Sequence, residues 1–406
     1  MKRTIPSIDN ILITTGTSTL GNSAAPLSIG ILSDADEIFW GDCPSHEIAV
    51  EEVHTAQRLV DKSQKKLRGQ PLSGFRALCG QVNSEYPSER GFVPIADGVR
   101  AALQQALLMA VASAQNRASA ELLAVEYGLS NLDPDHLSCP LFLEISDFAA
   151  TADLIEEMLA LRPAGIGYRL TGGRVVEALG ENAEYLQRFV RELGQRSDQL
   201  SRDTGYQPAI YLGLNGALGI LAGDPVLHAG KILGNATGLQ GAAGSHRLFL
   251  EDPFLIETED PVIQSANMLR LKNFILDEFN LGKPSTRHRD EPAQLVAGAS
   301  DLSLDELVQY ADTQAVNAMK FDLGVASDID GLMTQMQKLT VSGIDSFILM
   351  DEQTTPRWIG TAVAIAIAAR AAGLISNYNQ GSDTTYQSAI RNVRETQAFL
   401  NRKRPG

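Results

Sequence analysis

From residue 139 onward, short apolar runs alternate eight times with longer segments whose apolar positions recur at helical spacing. The runs cover residues 139–146, 165–170, 209–215, 247–252, 294–298, 316–322, 346–351 and 374–377. Each is rich in Leu, Ile, Val, Phe or Tyr and is closed at or near its end by Gly, Asp, Glu or Asn. Helical periodicity falls at 151–161, 183–202, 225–234, 261–279, 304–311, 328–341, 356–372 and 384–402. Thr151 and Ser303 stand as N-caps, and Pro225, Pro261 and Pro356 fall early in a first turn. Strands alternating with helices in this way predict parallel βαβ units, and eight of them predict a closed (β/α)8 barrel. Such a barrel carries its chemistry at the C-terminal ends of its strands, so the polar residues closing each run are the shortlist for function.

The first part of the chain has a different pattern. Strand-like runs at 10–14, 27–32 and 37–40 precede helical stretches at 47–67 and 99–127. Ser33-Asp34-Ala35-Asp36 has turn chemistry, so residues 27–40 read as a hairpin. This predicts a small α+β domain over residues 1–135 and the barrel over 136–406, with Asn131, Asp133 and Pro134 marking the boundary. A polar loop at 280–291 falls on the N-terminal side of the barrel, and the tail from 401 is expected to fray.

A formal charge of −15 argues against a nucleic-acid or anionic-membrane surface. Cys43, Cys79 and Cys139 have neither disulfide-framework nor zinc-site spacing, and the six histidines form no ligand pattern. The start MKRTIPSIDN lacks the apolar stretch of a signal peptide. Residues 362–372 are too short for a membrane span and read as a buried helix. A cytoplasmic protein is expected, with no membrane or nucleic-acid partner and with a homodimer as the expected assembly.

Candidate chemistry follows from the strand ends. Glu251 and Asp252 close the fourth barrel strand, raw material for acid–base work or metal binding, or for capping the next loop. Lys320 and Asp322 close the sixth; burial would push such a lysine toward a base, and a salt bridge to Asp322 or Glu251 is the plainer reading. Asp351, Glu352 and Gln353 close the seventh, with Asp351 the better inward candidate. Arg169 ends the second strand and suits a carboxylate or phosphate. Asn215 ends the third and Asn377 the eighth. Gly381-Ser382-Asp383-Thr384 precedes the last helix, as an anion site or an N-cap.

A small α+β domain before a barrel with acids and lysine at its strand ends resembles the enolase superfamily, and within it the methylaspartate ammonia-lyase family. Trp40-Gly41-Asp42-Cys43 is similar to that family's hairpin end, and Tyr211-Leu212-Gly213-Leu214-Asn215-Gly216 to its third-strand motif. Leu250-Glu251-Asp252-Pro253, Leu295-Val296-Ala297-Gly298 and Lys320 with Asp322-Leu323-Gly324 fall at its fourth, fifth and sixth. The resemblance implies that the α+β domain caps the barrel. It also implies three carboxylates holding Mg²⁺ on a substrate carboxylate while a lysine removes the neighbouring proton. Here the third-strand acid position holds Gly213 and the fifth Gly298, leaving Glu251. The family's histidine after the second strand falls in Pro163-Ala164-Gly165. Lys320 stands one residue nearer Asp-Leu-Gly than in the family, and another register puts Met319 there.

The expectation is a diverged relative that binds a small anionic molecule at the barrel mouth. Lys320, Glu251 and Asp351 are its candidate catalytic groups, and Arg169, Asn215, Asp252, Asp322, Gln353 and Asn377 its binding groups. No metal or other cofactor is expected, Mg²⁺ being the alternative. Two other readings stay open: a structural or regulatory subunit, and an active carbon–nitrogen lyase with Lys320 as base in which Asn215, Asp252 or Asp301 replaces the missing ligands.

Overall fold

The computed structural model describes residues 5–15, 27–43, 50–84, 94–129, 132–133, 137–146, 152–170, 177, 179–201, 205–256, 261–281, 291–299, 302, 304–323, 328–350, 355–378 and 384–403. Its second part is a barrel of eight parallel strands closed on itself. The strands are β4 (Leu141–Ser146), β5 (Gly165–Arg169), β6 (Ala209–Gly213), β7 (Leu248–Glu251), β8 (Gln294–Gly298), β9 (Ala318–Asp322), β10 (Asp345–Met350) and β11 (Gly373–Asn377). They pair in chain order, and β11 closes the ring on β4 with Asn377 opposite Glu144. Ahead of the barrel, β1 (Ile8–Thr15), β2 (Leu27–Ser33) and β3 (Ile38–Asp42) form an antiparallel sheet, the β2–β3 pair being the expected hairpin.

Strand side chains alternate between faces, and here the alternation separates two cores. Phe142, Ala209, Tyr211, Phe249, Val296, Ala318, Phe347, Leu349 and Ile375 fill the barrel interior. Four of them are rings packed 5.0–6.3 Å apart, several edge to face. The alternate positions, such as Leu143, Ile166, Leu212, Leu250 and Phe321, join the helices and the N-terminal domain in one continuous outer core.

The helices of the N-terminal domain are α1 (Val50–Leu67), α2 (Phe75–Asn83), α3 (Pro94–Ala114) and α4 (Ser119–Glu126). Periodicity over 99–127 predicts one helix, but α3 and α4 are separate. Asn116 takes a left-handed φ of 50° between them, a conformation Asn tolerates better than most residues. The sequence reading also lacks α2. Its start is capped from a distance, the Glu126 carboxylate accepting from the Phe75 N–H at 2.8 Å and the Arg76 N–H at 2.6 Å. By length and composition α3 could cross a membrane, yet 83% of its apolar window is buried inside the molecule, as in a core helix.

The barrel helices are α5 (Ala152–Ala160), α6 (Glu184–Ser201), α7 (Ala217–Ala222), α8 (Ala229–Ala242), α9 (Pro261–Asn280), α10 (Leu304–Thr313), α11 (Ile329–Val341), α12 (Pro356–Ala369) and α13 (Thr384–Arg402). The helix expected from Pro225 starts later. The Asp224 carboxylate accepts from the Val226 and Leu227 N–H groups at 2.8 and 2.9 Å, closing a turn where the helix would begin. Helix α12, ending before Arg370 in the left-handed region, is almost wholly buried, as the apolar run around 362–372 implies.

The cap meets the barrel on its C-terminal side. At the end of β3, Gly41 lies so close to α3 that a Cβ there would stand 2.0 Å from the Ala102 carbonyl oxygen. Beside it Asp42 fastens the start of α12: its carboxylate accepts from Thr355 at 2.8 Å and Arg357 at 2.5 Å, and its carbonyl from the Trp358 indole at 2.7 Å. Gln104 of α3 does the same for α11, accepting from the Ile329 N–H at 2.6 Å and donating to Asp328 at 2.8 Å. The cap therefore grips the helices that follow β9 and β10.

Candidate functional site

Above the aromatic layer the inward side chains turn polar. On β4, Glu144 is two residues beyond Phe142 and fully buried. On β5, Arg169 donates from Nε to Glu144 Oε2 at 2.7 Å. On β7, Glu251 is two residues beyond Phe249 and 5% exposed; on β9, Lys320 is two beyond Ala318 and 6% exposed. Lys320 Nζ is bonded directly to Glu251 Oε1, and the Tyr211 hydroxyl donates to Glu251 Oε2 at 2.9 Å. Both oxygens of Glu251 thus have protein partners.

The two glycines that stand where the family likeness implies acids are closely approached by neighbouring side chains. A Cβ on Gly298 would meet Asp252 Oδ2 at 2.9 Å. Asp252, at a left-handed φ of 42° just past β7, lays its carboxylate over the end of β8, where both oxygens accept from the Gly298 N–H at 3.1 Å. A Cβ on Gly213 would stand 3.3 Å from Glu251 Oε2 and 3.4 Å from Arg169 Cγ. Arg169 therefore passes over the spot where a third-strand side chain would begin.

Burial dominates the electrostatics. It raises the Glu144 carboxyl, against the pull of Arg169, and Glu251 adds to the rise. It pushes the Tyr211 phenol well up, reinforced by Glu251, so the hydroxyl stays a donor. It lifts Asp252 to about 7, again helped by the Glu251 charge and opposed by the Gly298 N–H. Burial pulls the Arg169 guanidinium down, but Glu144 and Glu251 more than compensate and it stays charged. Three buried atoms of this layer have no hydrogen-bond partner among the described residues: Glu144 Oε1, Arg169 Nη2 and Asn377 Oδ1.

Of the residues singled out from the sequence, Arg169, Glu251, Asp252 and Lys320 come together. Asn377 sits beside Glu144 across the β11–β4 pairing. Asp322 is half-buried at the end of β9, opposite Leu349 of β10. Asn215 is exposed in a left-handed turn before α7, apart from the cluster. Asp301, Asp351, Glu352, Gln353 and the 381–383 anion site lie outside the described residues. Met319 and Phe321 do not give Lys320 an apolar surround. As neighbours in a strand they face the opposite way, into the outer core, and Lys320 has a carboxylate partner instead. Glu144 and Tyr211 were missed as chemistry. The signal was a lone Glu inside Leu141-Phe142-Leu143-Glu144-Ile145, whose parity with Phe142 turns it inward.

The donor set does not fit a divalent cation. Of the three carboxylate positions implied by the family likeness, two are glycines, and the surviving Glu251 holds an ammonium and a phenol. Among the described residues no group of three or more His, Cys, Asp or Glu is placed to hold a metal ion.

A closed parallel barrel under an antiparallel cap, with polar residues at the C-terminal mouth, is the fold shared with solved methylaspartate ammonia-lyases and a muconate cycloisomerase. In sequence the chain is similar to a methylaspartate ammonia-lyase. It is 23% identical over 398 residues to methylaspartate ammonia-lyase 2 of Carboxydothermus hydrogenoformans, covering 96% of this chain and 90% of that protein. The crystal structure of Citrobacter amalonaticus methylaspartate ammonia-lyase containing (2S,3S)-3-methylaspartic acid superposes with a TM-score of 0.75, at 18% identity, over 97% of this chain and 100% of the other. A muconate cycloisomerase from Azorhizobium caulinodans gives a TM-score of 0.60 at 17% identity, over 91% and 86%. No family model matches the chain.

Proposed function

We propose that this protein binds a small anionic molecule, most simply a small carboxylate, at the barrel mouth by means of charges built into its own side chains. The observation that carries this reading is the Lys320 ammonium on Glu251, with Arg169 of β5 ion-paired to Glu144 in the same polar layer. In the ammonia-lyase likeness a carboxylate triad would hold a cation, and the cation would hold the substrate. Here the cation is a lysine. Its positive charge needs no loading, and the Arg169 guanidinium adds a planar donor suited to carboxylates. The (2S,3S)-3-methylaspartic acid in the Citrobacter crystal structure supports a dicarboxylate of similar size as the first ligand to try.

On this reading Lys320 and Arg169 bind and orient the anion, Tyr211 holds Glu251 in place, and the aromatic layer below closes the barrel to water. Mg²⁺-dependent ammonia-lyase chemistry is not part of it, because the carboxylates that would hold the ion are missing or engaged. The test is calorimetric titration of the protein with 3-methylaspartate, then with Mg²⁺ and Mn²⁺. Saturable binding of the anion, lost in Lys320→Met, is expected, with no saturable metal site below the millimolar range. A tight stoichiometric metal site, or a Lys320→Met variant with full affinity, overturns the reading.

A further inference from the structure

On the outside of the barrel, α9 departs from the pattern of a surface helix, which shows water a polar face. Its inner stripe is ordinary: Ser265, Met268, Leu271 and Ile275 are buried. The opposite stripe, at helical spacing, is Ile263, Ala266, Arg270, Phe274, Asp277 and Leu281, and it faces solvent. Leu281 keeps the helical path, its N–H bonding the Asp277 carbonyl at 2.9 Å. Along the helix and at its end, Val262, Ile263, Phe274, Leu276 and Leu281 are 41–71% exposed. The apolar surface also continues sideways. Pro225 and Phe254 line one groove with Arg270 and Phe274, and their chain neighbours Val226, Leu227 and Leu255 stand exposed beside it. Monomeric proteins rarely leave a contiguous apolar patch of this kind open to water.

Two charges interrupt the solvent-facing stripe, and both are idle. The Arg270 guanidinium makes one long bond, to Asn267 at 3.4 Å, and the Asp277 carboxylate has no partner among the described residues. Two helical turns separate them by about 10 Å, too far for them to pair with each other. A second copy of the helix, antiparallel and related by a two-fold axis beside Phe274, removes that separation. Arg270 then meets the partner's Asp277, Phe274 meets the partner's Phe274, and the small Ala266 makes room for the partner's Leu281. An isologous interface needs this kind of self-complementarity. At about 30 Å, the 20 residues of α9 are long enough to span an interface that buries about 800 Å² per partner. We propose that the solvent-facing side of α9 is an interaction surface for a second copy of this chain, paired antiparallel with Arg270 on Asp277 across a two-fold axis. The expected homodimer thereby acquires a specific surface, on the flank of the barrel and away from the mouth.

The test is sedimentation equilibrium of the full chain and of Arg270→Glu, Asp277→Lys and Phe274→Ser, each checked for folding by circular dichroism. The unmodified chain is expected to be a dimer at micromolar concentration. Each variant should weaken dimerisation tenfold or more, the first two by setting like charges together at both ends of the contact. Mixing Arg270→Glu with Asp277→Lys in equal amounts joins opposite charges at both ends again. The mixture should therefore recover dimers within threefold of the unmodified affinity. A monomeric unmodified chain overturns the proposal. Dimers indifferent to the two charge substitutions overturn it too, by placing the contact elsewhere. Loss in both charge variants without recovery in their mixture overturns the antiparallel pairing, and with it the proposed surface. Should Phe274→Ser not fold, the two charge variants, both at exposed positions, carry the test alone.

Discussion

Two buried carboxylates in this molecule have opposite states. Asp42, at the junction of cap and barrel, has every polar atom engaged. Its carboxylate accepts from Ser28, Thr355 and Arg357, its N–H donates to Gln105 and its carbonyl accepts from Trp358. Glu144, in the barrel mouth, is more deeply buried and has one carboxylate oxygen on Arg169 and the other on nothing among the described residues. The difference separates a fastener from a socket. A satisfied buried carboxylate holds two pieces of chain at fixed geometry. A half-satisfied one lowers stability.

The comparison can be broken most severely at Lys320. Replacing it with Met strands the Glu251 charge in a site with little solvent, and breaking such a buried pair costs about 3–5 kcal/mol. Urea denaturation should show that loss with the barrel still folded, and adding Glu251→Gln should recover most of it. An unchanged midpoint in the single variant would mean the pair is not formed.

At the junction, Asp42→Ala removes a shared acceptor from Ser28, Thr355 and Arg357. With Arg357 partly exposed, the expected cost is smaller, about 2–3 kcal/mol. Ligand affinity at the mouth should be unaffected. A variant that lost affinity as well would show that the fastener and the socket are coupled.

Smaller still is Tyr211→Phe, which removes one buried hydrogen bond to Glu251 without opening a cavity. It should cost about 1 kcal/mol in the same denaturation experiment. The finest effect is in pH. Burial and the Glu251 charge raise the Asp252 carboxyl from its ordinary 3.8 to about 7, so between these values the folded chain keeps a proton that the unfolded chain has lost. Its contribution to stability is full below 3.8 and falls as pH rises toward about 7. Asp252→Asn should flatten that part of the stability–pH curve, measured by thermal melts in a pH series. An unaltered slope would mean that burial and the Glu251 charge do not hold the Asp252 carboxyl up.

Most of the architecture was legible in the hydrophobic pattern, because period-two runs and period-3.6 runs alternate without ambiguity from residue 139 onward. What escaped depended on contacts distant in sequence. The start of α2 is capped by Glu126, some fifty residues away. The helix expected at Pro225 is delayed by an Asp224 turn that local propensity does not weigh. At the site, Arg169, Glu251, Asp252, Lys320 and Asn377 were legible as polar strand ends. Glu144 and Tyr211 were not, because both sit inside strands where polarity reads as noise until the inward face is known. That Lys320 and Glu251 meet was available as the salt-bridge alternative. That Asp252 folds back over Gly298 needed the left-handed turn after β7, which no pattern of residue types announces.

That turn bears on how the site can be altered by design or by drift. A side chain at residue 298 would begin 2.9 Å from the Asp252 carboxylate, so the carboxylate would have to move aside to admit it. Gly298→Asp alone would not return a ligand to the ring; it would drive Asp252 off the backbone amide that holds it. A three-carboxylate mouth would therefore require Asp252 to swing aside from residue 298, a side chain at residue 213 beside Arg169, and the release of Glu251 from Lys320.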